Sequence, residues 1–155
     1  MFNRSAHRDH PGARPQAGPP RRELRLNVTS DPANLAPVRH ALEAFCKECG
    51  LGEAAAADVG LVVNEAMANV TRHAYGGATD RPISITGRWD AAGRGAVRIQ
   101  IRDWGSGEEP PQAPTNPDPA TPGGLGMVCI RCLMDEAVYE PQRDGMLLTL
   151  IKRKK

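Results

Sequence analysis

Three polar residues lie at helical spacing within residues 64–75, and together they could hold a charged ligand. Glu65, Asn69 and Arg72 fall on one strip of a helix, beside its apolar stripe. At the edge of a core, the amide oxygen of Asn69 could meet a hard cation, and the carboxylate of Glu65 could orient or deprotonate a nucleophile. The alternative interpretation is a solvated polar face. Asp58 extends the strip toward the helix N-terminus.

One carboxylate follows a strand-like run and is followed by glycines. Asp103 precedes Trp104, Gly105, Ser106 and Gly107, and it shares its parity with three apolar residues, Val97, Ile99 and Ile101. Asp103 should therefore point toward the apolar side, where an unpaired carboxylate is costly. The exocyclic amine of a base would satisfy it, since a hydrogen bond to a charged acceptor contributes about 1.5–3 kcal/mol. The alternative is a tight turn in which Asp103 accepts local backbone N–H groups.

A glycine-rich segment precedes a helical pattern later in the chain. It consists of Gly123, Gly124, Leu125, Gly126 and Met127. Free N–H groups and the helix dipole favour phosphate at such a position, and glycine lets the phosphates come close. By itself G-x-G is weak evidence, and the chain lacks the G-K-[ST] of a P-loop.

Hydrophobic periodicity predicts the elements that position these residues. Alternation predicts strands at residues 23–29, 82–89, 96–103, about 137–140 and 146–152. Apolar stripes predict helices from Ser30 or Asp31 to about Cys49, from about Ala54 to Tyr75, and from about Leu125 to Leu133. The long loop at residues 105–124 holds six prolines, and we interpret it as a lid. This order predicts an α+β two-layer sandwich, with the helices on one face of a mixed, mostly antiparallel sheet.

Composition narrows the class of protein. The 155 residues, 40% hydrophobic and 25% charged, suit one globular domain, which we place at residues 23–155 behind a flexible, proline-rich basic tail at 1–22. A net charge of +2 gives no field that would make nucleic acid or a membrane the main partner. The chain has no signal-peptide core and no run of roughly 20 apolar residues, so we expect a cytoplasmic protein without a membrane span.

Four cysteines form two C-x-x-C pairs, Cys46 with Cys49 and Cys129 with Cys132. This spacing can bind zinc or support thiol redox chemistry. The 79 residues between the pairs exceed the spacer of a zinc ribbon, and both pairs are in phase with apolar stripes. We therefore predict buried core cysteines, with zinc or a thiol switch as the alternative.

Three of these motifs, in this order, resemble a known ATP-binding fold. E-x-x-x-N in a helix, D-x-G-x-G after a strand and G-x-G before a helix resemble the Bergerat-type fold of gyrase, Hsp90, histidine kinases and MutL, the GHKL superfamily. Within it, V-x-N-E-A-x-x-N-x-x-x-H-A-Y, and G-G-L-G-M followed by L-M-D-E, resemble the bacterial anti-sigma factor serine/threonine kinases. The resemblance covers about residues 23–152.

The resemblance implies a role for each matching residue. Asn69 would hold magnesium and contact the nucleotide, Glu65 would activate the attacking group, and Asp103 would take the adenine amine. Glycines of the nucleotide loops are matched by Gly105, Gly107, Gly124 and Gly126. The backbone amides from Gly124 through Leu125 and Gly126 to Met127 would hold phosphate, with the ATP lid between the two glycine pairs.

The resemblance also implies an activity. The family transfers the γ-phosphate of ATP, with Mg²⁺, to a serine or threonine of an anti-anti-sigma (STAS-type) protein. It sequesters a sigma factor when that antagonist is phosphorylated, and it usually works as a homodimer. One departure is Gly145-Met146-Leu147, where the family commonly has a threonine. Thr149 is the candidate substitute for that hydroxyl near adenine.

Three other functions stay open. The chain could be an interaction module that holds ATP only as a structural ligand. A histidine-kinase catalytic fragment is disfavoured because Ala41, rather than an acidic residue, follows His40. Direct nucleic-acid binding would depend on the arginine-rich tail and on the terminal run from Lys152 to Lys155, which we expect to be solvated. We also expect His73 to be a packed, hydrogen-bonded histidine rather than a ligand.

Overall fold

The alternating segments form a five-stranded sheet in which every pair of neighbours is antiparallel, in the order β1-β2-β3-β5-β4. The structure is a computed structural model that describes residues 22–111 and 130–155. The strands are β1 (Glu23–Thr29), β2 (Pro82–Asp90), β3 (Ala96–Asp103), β4 (Glu136–Pro141) and β5 (Met146–Arg153). Each predicted strand is confirmed to within one residue at either end.

Within the described residues the helices follow the predicted apolar stripes, with one change of geometry, whereas the start of the helix predicted from about Leu125 lies outside them. They are α1 (Leu35–Glu48), α2 (Glu53–Asn69) and α3 (Ile130–Leu133). A 3₁₀ turn at Pro32–Asn34 precedes α1, and the side chain of Asp31 caps it by accepting from the Ala33 N–H at 2.9 Å. The predicted helix up to Tyr75 is α-helical only to Asn69, after which Val70–Ala74 form a π-helical turn.

The core lies between the helices and one face of the sheet. Strand residues of one parity, such as Ile85, Ile99 and Ile101, are buried in the same cluster as Leu42 and Val63 of the helices. Helix α1 comes so close to the sheet that a Cβ at Gly87 would lie 3.0 Å from the Phe45 ring. The predicted α+β two-layer architecture is therefore confirmed.

The cysteine prediction is right for one pair and wrong for part of the other. Cys46 and Cys49 are buried free thiols of the core, and burial raises the pKa of Cys46 to about 12, so its thiol is neutral and unreactive. Cys132, which lies within α3, is exposed and disulfide-bonded rather than buried in the core. Cys129 lies outside the described residues.

Two features are absent from residues 22–111 and 130–155. No cluster of three or more His, Cys, Asp and Glu side chains there could hold a metal ion. No helix in those ranges has the length and hydropathy needed to cross a membrane. The tail at residues 1–21 and the lid beyond residue 111 lie outside the described part of the chain.

Candidate functional site

A pocket opens where the C-terminal end of α2 meets the ends of β3 and β5. Its lining includes Asn69 and His73 from the helical side, Asp103 at the end of β3, and apolar side chains of the sheet, Ile101, Met146 and Leu148. Asp103 and Met146 are direct partners across β3 and β5. Two residues that the sequence singled out from separate segments, Asn69 and Asp103, thus line one pocket with an apolar floor.

Asp103 is the buried carboxylate of this pocket, with only 4% of its surface exposed. Burial raises the pKa of its carboxyl group, while the N–H of Gly105 and the nearby Arg102 guanidinium oppose that shift. Its Oδ1 accepts from the Gly105 N–H at 3.0 Å. Asp103 therefore accepts a local backbone N–H, as the alternative interpretation of a tight turn predicted, and it also lines the pocket.

Backbone geometry explains the glycines around Asp103. A Cβ at Gly105 would lie 2.3 Å from the carbonyl oxygen of Ala74, the residue that ends the π-helical turn. Gly107 has φ +76°, in the left-handed region. The loop after β3 can therefore lie directly against the end of the helix, where the Ser106 N–H donates to the Ala74 carbonyl at 3.1 Å.

Gly145 supports Asp103 from the β4–β5 turn and provides a test of this packing. It has φ +97°, and a Cβ there would lie 2.2 Å from the Asp103 carbonyl oxygen.

Gly93, in the β2–β3 turn, has φ +63° and open space around it. Gly93→Ala should cost about 1–2 kcal/mol of unfolding free energy through left-handed strain, and Gly145→Ala should cost about 1–3 kcal/mol more through overlap. Urea denaturation of the two variants checks this; equal losses would contradict it.

Arg72 joins the remaining two predicted residues. Its Nη2 donates to Asn69 Oδ1 at 2.8 Å and to Glu65 Oε1 at 3.2 Å. Glu65 lies outside the pocket lining, and its side chain is only 12% exposed. The structure therefore brings Glu65, Asn69 and Arg72 together as one polar cluster beside the pocket, as the strip predicted.

Other predicted polar residues have different partners. Asp58 accepts from the ammonium of Lys152 at 3.1 Å, and this ammonium also donates to the Leu133 carbonyl at 2.5 Å. Lys152 is only 8% exposed, so the expectation of a solvated residue is wrong. It lies on the core face of β5, where a buried cation needs a paired acid. The Asp58–Lys152 pair links α2 to the sheet and to the end of α3.

Two expectations near the pocket are also wrong. His73 is exposed in the π-helical turn and lines the pocket, so it is not the packed histidine that we expected. Thr149 belongs to the opposite face of β5 from Leu148, and it accepts from the Gln100 side chain at 3.3 Å. Its hydroxyl therefore cannot replace one that faces the pocket.

Tyr75 is a contact residue that the sequence patterns did not single out for a role of its own. Its hydroxyl donates to the Pro82 carbonyl at 2.5 Å and accepts from the Trp104 N–H at 2.9 Å. Burial raises the pKa of this hydroxyl, so it stays protonated as a donor. The only sequence signal was the position of Tyr75 in the H-A-Y ending of the helix motif.

Comparison with protein families identifies the fold that holds this pocket. A family model described as the histidine kinase-like ATPase domain matches residues 28–152. The chain belongs to this family. ATP is thus the ligand class of the fold, and the matched range spans both sides of the pocket.

Comparison with individual proteins adds a structural neighbour to this histidine kinase-like ATPase domain. No curated protein sequence matches the chain at a significant level. The chain is similar to the solved RsbU and RsbW domains of Rv1364c from Mycobacterium tuberculosis, with a TM-score of 0.60 and 24% identity. The alignment covers 85% of this chain and 32% of that one, so the chain spans about a third of its neighbour's length. At this identity, the likeness shows a shared fold.

The second glycine segment was predicted to hold the phosphates of the nucleotide. Gly124, Leu125, Gly126 and Met127 lie outside the described residues, so their contact with phosphate stays a prediction. Within the described part of the ATPase domain, the purine-binding and metal-binding candidates meet at one pocket.

Proposed function

We propose that this ATPase domain is an anti-sigma regulatory factor that binds Mg-ATP and phosphorylates a serine or threonine of an anti-anti-sigma, STAS-type protein. Phosphorylation of that antagonist leaves the domain free to sequester a sigma factor. The observation that carries the proposal is the pocket shared by Asn69 and Asp103, with Glu65 next to it. The motif resemblance and a structural neighbour that includes an RsbW domain support the same assignment.

The base would lie against the floor of the pocket. Ile101, Met146 and Leu148 offer an apolar surface to a planar purine, and Asp103 offers a buried charged acceptor. A carboxylate that accepts from an exocyclic amine selects adenine over guanine, because guanine has a carbonyl oxygen at the same position. Burial raises the pKa of Asp103 because a buried charge is costly, and a hydrogen bond from the amine would offset that cost.

The neighbouring cluster fits a divalent cation at Asn69. Asn69 Oδ1 and Glu65 Oε1 already converge on one positively charged nitrogen, Arg72 Nη2. Amide and carboxylate oxygens are ligands that Mg²⁺ accepts when phosphates and water complete its shell. Asn69 would hold the ion, and the bound ion would neutralise charge on the transferring phosphoryl group.

Glu65 would act on the incoming hydroxyl group. Its side chain is largely buried but reaches the cluster, so it can hold one acceptor in a fixed place near the cation site. Phosphoryl transfer depends on position and charge more than on covalent chemistry. Glu65 would orient the serine or threonine hydroxyl in line with the phosphorus and take up its proton. Helix-end amides at Gly124–Met127 would hold the phosphates.

Incubation with γ-labelled ATP, Mg²⁺ and purified STAS-type proteins tests the proposal. We expect acid-stable label on one serine or threonine of a STAS partner, located by phosphopeptide mapping. ATP binding without transfer to any partner would favour an interaction module instead. Acid-labile label would point to phosphohistidine and a histidine-kinase activity. The molecular mass of the purified domain in solution, measured in parallel, tests the predicted homodimer.

A further inference from the structure

The guanidinium of Arg72 occupies a position between the two oxygens that the proposed function assigns to catalysis. One nitrogen, Nη2, contacts both Asn69 Oδ1 and Glu65 Oε1, at 2.8 and 3.2 Å. Arg72 belongs to the π-helical turn that directly follows Asn69. The side chain is 57% exposed, so solvent surrounds much of it while the contacts involve its charged end.

A metal ion and this guanidinium would compete for Asn69 Oδ1 in the observed arrangement, because both are cations that bind the same oxygen. Mg²⁺ requires its oxygen ligands at about 2.0–2.1 Å in octahedral geometry and usually keeps several waters around it. A permanently charged group 2.8 Å from the same oxygen would lie within about 5 Å of the ion and repel it. A metal bound at Asn69 would therefore favour movement of the Arg72 guanidinium away from that oxygen.

We propose that Arg72 is a positioning residue that stands in for the metal, occupying the cation's place when Mg²⁺ is absent and competing with it for Asn69. This inference rests on the proposed nucleotide site. Without metal, Arg72 holds the Asn69 and Glu65 oxygens together and offers positive charge to nucleotide phosphates. With metal, its exposed side chain turns outward, and Asn69 is released to the ion.

The proposal predicts that removal of Arg72 makes nucleotide binding more dependent on metal. Arg72→Gln deletes the competing charge, which strengthens binding with Mg²⁺. It also deletes the substitute charge, which weakens binding without Mg²⁺. Both effects raise the ratio of the dissociation constant in EDTA to that in Mg²⁺. We expect a rise of at least about tenfold, the size associated with one charge-assisted hydrogen bond.

Calorimetry with the non-hydrolysable analogue β,γ-imido-ATP, in millimolar Mg²⁺ or in excess EDTA, measures this ratio without any turnover. Arg81→Gln is the matched control, because Arg81 is an exposed arginine 3.9 Å from Asp80 and its loss removes the same charge. Its ratio should equal that of the unaltered chain. Arg72→Lys keeps a single charge and should remain within about threefold of the unaltered ratio.

Three results would overturn the assignment, and a fourth would refute the proposed function on which it rests. An unchanged ratio in Arg72→Gln, with normal circular dichroism, overturns it. Equal weakening in both buffers also overturns it, since Arg72 would then be a structural contact only. If Arg72→Gln does not fold, the ratio measured for Arg72→Lys decides. A rise of about tenfold in Arg72→Lys would contradict competition between the Arg72 charge and Mg²⁺. Failure of the unaltered chain to bind the analogue would instead refute the proposed function.

Discussion

Glu65→Gln is expected to lower phosphoryl transfer to a STAS-type partner by about 10²–10⁴-fold while leaving ATP affinity nearly unchanged. Glutamine keeps the shape of the side chain and an acceptor for Arg72, but it cannot take a proton. Because Glu65 lies beside the pocket rather than in its lining, the base-binding surface should not change. Single-turnover assays with labelled ATP measure the rate, and calorimetry measures the affinity.

Glu53→Gln is the matched control for this variant. Glu53 starts the same helix, α2, and its side chain is 88% exposed, with an ion pair to Lys47 at the surface. Its replacement should leave the transfer rate unchanged. An undiminished rate in Glu65→Gln would remove Glu65 from the mechanism, whereas a lost affinity would place Glu65 in the binding surface instead.

Asp103→Asn is expected to weaken ATP binding by about 10- to 100-fold, the effect of replacing a charged acceptor with a neutral one. Because burial raises the pKa of Asp103, this carboxylate becomes protonated at a higher pH than an ordinary aspartate. The ATP affinity of the unaltered chain should therefore begin to fall at that higher pH as the solution is acidified. This acid-side loss should be absent in Asp103→Asn. Above this raised pKa, the buried charge of Asp103 opposes folding. Asp103→Asn removes that charge, so it should not lower the free energy of unfolding at neutral pH.

Asp90→Asn makes the same change where no pocket residue is affected. Asp90 accepts from the N–H two residues ahead, that of Ala92, at 2.9 Å, just as Asp103 accepts from Gly105 at 3.0 Å. The pair therefore separates the role in a local turn from a role in ligand binding. Equal affinities for Asp103→Asn and Asp90→Asn by calorimetry would show that Asp103 is only a turn residue.

Local patterns were sufficient for most of the fold. Alternation marked each strand because one face of the sheet is buried, and parity alone placed Asp103 on that face with Ile99 and Ile101. Helical spacing likewise placed Glu65, Asn69 and Arg72 together, since four-residue neighbours share a face whatever the helix packs against. These predictions depend on contacts within one element.

The predictions that were wrong depend on contacts between elements or on a change of helical geometry. The terminal basic run gave no sign that Lys152 points inward, because its acid, Asp58, lies 94 residues earlier. His73 is exposed in a π-helical turn, and that turn contains no glycine or proline from which a departure from α-helical geometry could be predicted. Thr149 could be excluded only once its register with Gln100 was known.

The hydroxyl of Tyr75 and the carbonyl of Ala74 fasten the strand carrying Asp103 to the helix carrying Asn69. Their bonds to the N–H groups of Trp104 and Ser106 come immediately after Asp103 in the chain. One side-chain bond and one backbone bond therefore restrict the separation between Asn69 and Asp103. A ligand with the wrong separation between its ring and its anionic end would have to break these bonds to bind at both points.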